Sequence, residues 1–220
     1  MARSWRRSRS RAAAALALAL LAGTVASAHR RDEYLQASRI AIGPDRVGIE
    51  LDLTPGISVA DRILADIDAD RSGSIGDEEA QLYVSRVAGA LSVDVDGAPL
   101  AVHVTGSAFP AVEAMRNGEG TIRIAMTAPM PALAGGVHRL HYRNTHRQEL
   151  SAYLANALVP DSDRVAIGSQ DRDVEQRDLV VEYRLRGETV FAVSLWPALA
   201  AGLALAGLAV VCRRSINLLA

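Results

Sequence analysis

Twelve consecutive residues, Asp68-Ala69-Asp70-Arg71-Ser72-Gly73-Ser74-Ile75-Gly76-Asp77-Glu78-Glu79, carry the most specific chemistry in this sequence. A hard divalent cation such as Ca2+ takes about six to eight oxygens at roughly 2.3–2.6 Å, and alternate residues on a tight loop supply them. Asp68, Asp70 and Ser72 fall at loop positions one, three and five, and position seven offers the Ser74 carbonyl. Glu79, at position twelve, brings both carboxylate oxygens. Gly73 permits the left-handed turn that folds such a loop around an ion. Gly76, at position nine, has no side chain, so water fills that vertex. Ile75 points toward the core. Three carboxylate ligands lead us to expect a modest calcium affinity, on the order of 10⁻⁵ to 10⁻³ M. The competing expectation is a loop that keeps this shape through hydrogen bonds among its own Asp and Ser side chains.

The spacing is that of an EF-hand, and such loops usually pair. Asp171-Arg172-Asp173-Val174-Glu175 is the nearest second candidate, but it lacks the glycine and the terminal glutamate. A single loop points to a structural calcium staple rather than a sensor. His29 is a second candidate ligand, because an N-terminal histidine offers its amine and imidazole together to copper or nickel. The other histidines are His103, His138, His141 and His146, and on a strand His138 and His141 face opposite sides. No nucleophile elbow, zinc signature or phosphate-binding glycine loop occurs, so we expect a protein that is not an enzyme.

The elements that must position the loop follow from apolar spacing. Val59, Ile63 and Ile67 recur every four residues behind Ser58, a candidate helix cap, and Ala80, Tyr83, Val84, Val87 and Leu91 recur at helical spacing after it. A helix-loop-helix insert over 58–90 results. Around it the period is two: Ile40 and Ile42, a Gly43-Pro44-Asp45 turn, then Val47, Ile49, Leu51 and Leu53 predict a hairpin. Leu91, Val93 and Val95 run to Asp96-Gly97, after which Leu100, Val102 and Val104 predict the returning strand. Further strands are expected over 121–126, 137–142 and 179–185. Neither 109–119 nor 148–178 shows a clear pattern. The fold class is mainly β, a β-sandwich-like domain with an inserted EF-hand.

The two ends are different in kind. Five arginines in residues 1–11, an Ala/Leu run from Ala12 and the small-residue exit Ala26-Ser27-Ala28 predict a signal peptide over 1–28. Thr189 to Cys212 is uncharged and long enough to span a bilayer, and Arg213 and Arg214 follow it. The expected layout is therefore a domain over 29–188 outside the cytoplasm, a span over 189–212 and a cytoplasmic tail over 213–220, anchored in the inner membrane. All 25 acidic residues lie within 29–188 against 17 arginines there, a net charge of about −8, which excludes nucleic acid as a partner. The one cysteine, Cys212, leaves the domain without a disulfide.

Ser38-Arg39-Ile40-Ala41-Ile42-Gly43-Pro44-Asp45-Arg46-Val47-Gly48-Ile49-Glu50-Leu51-Asp52-Leu53, the acidic loop and Leu91-Ser92-Val93-Asp94-Val95-Asp96-Gly97-Ala98-Pro99-Leu100 together look familiar. Over about residues 29–127 the chain resembles the extracytoplasmic domain that precedes bacterial nickel/cobalt permeases and the hydrogenase and urease accessory type of permease. It departs from them in having one expected span. The resemblance implies an accessory, metal-handling role beside a multi-helix permease; the alternative expectation is an accessory subunit of a nickel/cobalt or copper transport system that captures the metal at the mature N-terminal His29.

Overall fold

The computed structural model describes residues 32–187. Strand far outweighs helix there, in two five-stranded sheets. The elements are β1 (Tyr34–Ile42), β2 (Arg46–Pro55), α1 (Ile57–Ile67), α2 (Asp77–Gly89), β3 (Leu91–Val95), β4 (Ala98–Pro99), β5 (His103–Ala108), α3 (Val112–Arg116), β6 (Ile122–Pro129), β7 (Gly136–Asn144), β8 (Ser151–Ala157), β9 (Val165–Arg172) and β10 (Asp178–Leu185). The strand orders are β5-β6-β2-β1-β8 and β4-β3-β7-β10-β9.

The first hairpin forms where the alternation places it. Ile42 pairs with Val47 and Tyr34 with Pro55, and the Gly43 amide donates to the Arg46 carbonyl at 2.9 Å to close the turn. Ile40, Ile42, Val47, Ile49, Leu51 and Leu53 are all buried on its inner face. They join one apolar core with Leu140, Tyr142, Leu179, Val181 and Tyr183 from the other sheet. The two inner faces also share a hydrogen bond, Ser38 Oγ to Tyr142 Oη at 2.7 Å. On β1 this face also carries the polar Gln36 and Ser38, between Tyr34 and Ile40, and each is buried with a hydrogen-bond partner.

Two local expectations are corrected. Ser58 does not cap α1: the cap is Gly56, and the Ser58 hydroxyl donates to the Asp32 carboxylate at 2.8 Å. β2 stays paired through Pro55, so one residue remains for the turn and the helix starts at Ile57. The strand expected to return from Asp96-Gly97 lasts only two residues. The turn itself forms, with φ of 53° and 82° at these two positions, as a tight hairpin turn requires. The Leu100 amide donates once more to the Val93 carbonyl, at 2.8 Å, and the chain then crosses to pair as β5 with β6 in the other sheet. The unpatterned stretches contain α3, β8 and β9. β8 lies parallel to β1, with Tyr34 opposite Ser151.

The expected signal peptide, the span over 189–212, the tail and His29 lie outside the described residues. Among the described residues no helix is long and apolar enough to cross a membrane.

Candidate metal centre

α1 and α2 hold the twelve-residue loop between them. α1 buries Val59, Ala60, Ile63, Leu64 and Ile67 along one stripe, and each large apolar side chain so buried contributes about 1.5–3 kcal/mol. Its last helical bond is the Asp68 amide to the Leu64 carbonyl at 2.8 Å. The chain then turns through left-handed backbone at Arg71 (φ 59°) and Gly73 (φ 79°). α2 begins at Asp77 with three acidic residues in its first turn, where they complement the positive end of the helix dipole.

Backbone amides aim the carboxylates. Asp68 is buried, and its two oxygens accept from the Ser72 and Gly73 amides, both at 2.9 Å. Asp70 Oδ1 accepts from the Ser72 amide at 2.9 Å. That amide and the Ser72 side chain hold the Asp70 carboxyl below its ordinary range, so it stays charged. Glu79 reaches back from α2: Oε1 accepts from the Ala69 amide at 2.7 Å and Oε2 from the Gly76 amide at 3.0 Å. The second bond caps α2, and the first ties its start to the end of α1. The Ser72 hydroxyl donates to the Ser74 carbonyl at 3.0 Å, so these two oxygen donors sit together. Ile75 packs against the core, as its loop position predicts.

The loop thus brings Asp68, Asp70 and Glu79 together, with one ligand atom from each lying within 4.8 Å of the others. Asp68 is buried, Glu79 half-buried and Asp70 exposed. Three carboxylates this close repel one another, and a divalent cation among them relieves that repulsion while taking oxygens as ligands.

The histidines on β7 are not brought together. His138 bonds Asp96 at 2.7 Å and the Ala134 carbonyl at 2.8 Å, whereas His141 lies on the other face between Asp94 and Asp178. The Asp96 bond raises the His138 pKa, the Ala134 carbonyl adding to it. Asp173, in the nearest second loop candidate, accepts from the Arg177 and Asp178 amides at 2.9 and 3.0 Å and so closes the β9–β10 turn.

Pattern reading missed a buried polar group behind α2. The Tyr83 hydroxyl lies 2.6 Å from that of Tyr34 and 3.2 Å from His146 Nε2. Burial pushes Tyr83 up to about 12 and His146 down to about 4, so both are neutral near pH 7. Tyr83 reads in the sequence as one more core position, and nothing near His146 marks it. No protein-family model, curated protein or solved structure matches the chain.

Proposed function

We propose that this is an exported protein, anchored in the inner membrane by its C-terminal apolar segment, whose main domain binds calcium at Asp68, Asp70, Ser72, Ser74 and Glu79. It is not an enzyme in this reading, and calcium serves as a structural staple of the helix-loop-helix insert. The resemblance to permease-linked domains makes a multi-helix permease, or another envelope protein, the partner in this reading. The observation that supports the calcium reading is the convergence of Asp68, Asp70 and Glu79 within 4.8 Å.

The same hydrogen bonds would also hold the loop in shape without metal, so the test must separate binding from shape. Only the folded loop gathers the ligands, so calcium at about 100 times its dissociation constant adds roughly 2.7 kcal/mol of stability. For a domain of about 150 residues that raises the melting midpoint by several degrees. Thermal melts of wild type and Glu79→Gln, in excess chelator and in millimolar calcium, read this out. The gain is expected in wild type and not in Glu79→Gln. Magnesium should give less, because it demands a smaller octahedral cage. Wild type melting equally in both buffers would overturn the calcium reading.

A further inference from the structure

The two helices that carry the loop are held by neighbouring residues of one turn between β7 and β8. Glu79 and Tyr83 lie one helical turn apart on α2, on the same face. Tyr83 reaches Tyr34 Oη at 2.6 Å and His146 Nε2 at 3.2 Å, and its ring meets that of His146 edge-on at 5.6 Å between centroids. The last turn of α1 is held by the next residue, Arg147, whose guanidinium pairs with the Asp66 carboxylate. Arg86 of α2 also donates to the Asp66 carbonyl, joining the helices to each other.

The turn is itself fixed to the sheets. The His146 carbonyl accepts from Gln36 Nε2 and from the Tyr153 hydroxyl, both at 2.7 Å. Its amide donates to Asn144 Oδ1 at 2.9 Å, and Asn144 Nδ2 donates to Gln36 Oε1 at 2.9 Å. Arg147 takes left-handed backbone, φ 51°, an uncommon conformation for a residue with a side chain. These contacts come from β1, β7 and β8, so the turn moves only if the sheets move.

We infer that the His146–Arg147 turn is a clasp that sets the placement of α2 against α1, and thereby the divalent-cation affinity of the loop. The inference rests on the calcium reading above. Bidentate coordination by Glu79 needs both oxygens inside a window of about 0.3 Å, so small displacements of α2 matter. The apolar contacts of Val84 and Val87 hold α2 on the core but are non-directional. The Tyr83 hydroxyl, hydrogen-bonded to Tyr34 and His146, adds a directional restraint. Tyr83, His146 and Arg147 are therefore positioning residues, acting on the cation through Glu79 and the end of α1. By reciprocity, a cation in the loop tightens the clasp.

The test is calcium titration calorimetry on the full-length chain in mild detergent, with a melt of each variant in chelator to confirm folding. Tyr83→Phe keeps the ring and loses the hydroxyl, and Arg147→Met keeps the stem and loses the ion pair. Each should weaken calcium binding about three- to tenfold, the scale of one hydrogen bond. His146→Gln keeps a polar partner for Tyr83 and should bind like wild type, whereas His146→Leu should weaken binding. Hydrogen exchange supplies a second readout: calcium should slow exchange across residues 145–150 in wild type, and Tyr83→Phe should abolish the slowing. Folded Tyr83→Phe and Arg147→Met with wild-type affinity would overturn the clasp while leaving the calcium reading intact. Failure of wild type to bind calcium would overturn both.

Discussion

His146 is buried and neutral, and that has a consequence at acid pH. Arg86, on α2, adds to the effect of burial, while Glu149 in the same turn opposes it. The folded-state pKa of about 4 lies below the ordinary value near 6.5, so the unfolded chain takes up a proton at higher pH than the folded one. Stability from this residue is therefore complete above about pH 6.5 and is lost as pH falls toward 4. The shift corresponds to about 3 kcal/mol. Between pH 7 and pH 4, in chelator, the denaturant midpoint of wild type should fall relative to that of His146→Gln, because only wild type takes up this proton. Parallel curves would mean that His146 is not held neutral. At this scale the acidic loop was legible, because oxygen ligands need a fixed spacing and one glycine. The partners of Asp66 and Tyr83 were not. Hydrogen bonds spanning 49 to 81 residues leave no local pattern.

Helices declare themselves through an apolar stripe, and α1 shows what that stripe determines. Ile63 is fully buried at its centre, while Leu82 on α2 is 56% exposed. Ile63→Ala should cost about 2–5 kcal/mol, since a packed core relaxes only partly into the space left behind. Leu82→Gln should change stability by no more than about 0.5 kcal/mol. Chemical denaturation of both variants checks the contrast, and a mild Ile63→Ala would show that the helix pair packs loosely on the sheets. The hairpin of β1 and β2 was legible for a similar reason: next to the turn its buried face is wholly apolar, Ile40 and Ile42 against Val47, Ile49, Leu51 and Leu53, while the buried polar Gln36 and Ser38 hid the start of β1. β4 and β5 were misread because the alternating pattern gives the period of a strand and not its partner. Leu100, Val102 and Val104 do alternate, but Leu100 and Val102 lie on the connection between the sheets and only Val104 belongs to β5. β9 is an edge strand with mostly exposed or half-buried residues, Val165-Ala166-Ile167-Gly168-Ser169-Gln170-Asp171-Arg172, so no buried face imposed a period on it.

At the scale of the whole molecule, the parallel pairing of β1 with β8 brings Tyr34 beside Ser151 and makes the beginning and the later part of the domain interdependent. Parallel neighbours need a long crossover, and here the crossover contains the loop, both its helices and most of the second sheet. Such non-local closure was invisible in the sequence, where β8 shows only a short stretch of mixed polarity. It also defines what must stay together. Buried apolar residues run from Tyr34 to Leu185, and the ten strands of the described residues lie between those positions. A chain ending at residue 188 therefore keeps the whole of this core. Within it, residues 29–188 carry a net charge of about −8, which favours solubility. The proposed anchor lies entirely beyond the cut, and its 24 uncharged residues are the length a bilayer requires. Expressed with its own N-terminus, a chain truncated before Thr189 should be recovered soluble outside the cytoplasm and should unfold in a single cooperative transition, while the full-length chain stays with the membrane after carbonate washing. A truncated product that remained in the carbonate-washed membrane would place the anchor elsewhere in the chain. A soluble product without a cooperative transition would instead mean that the domain depends on residues past 188 for its folding.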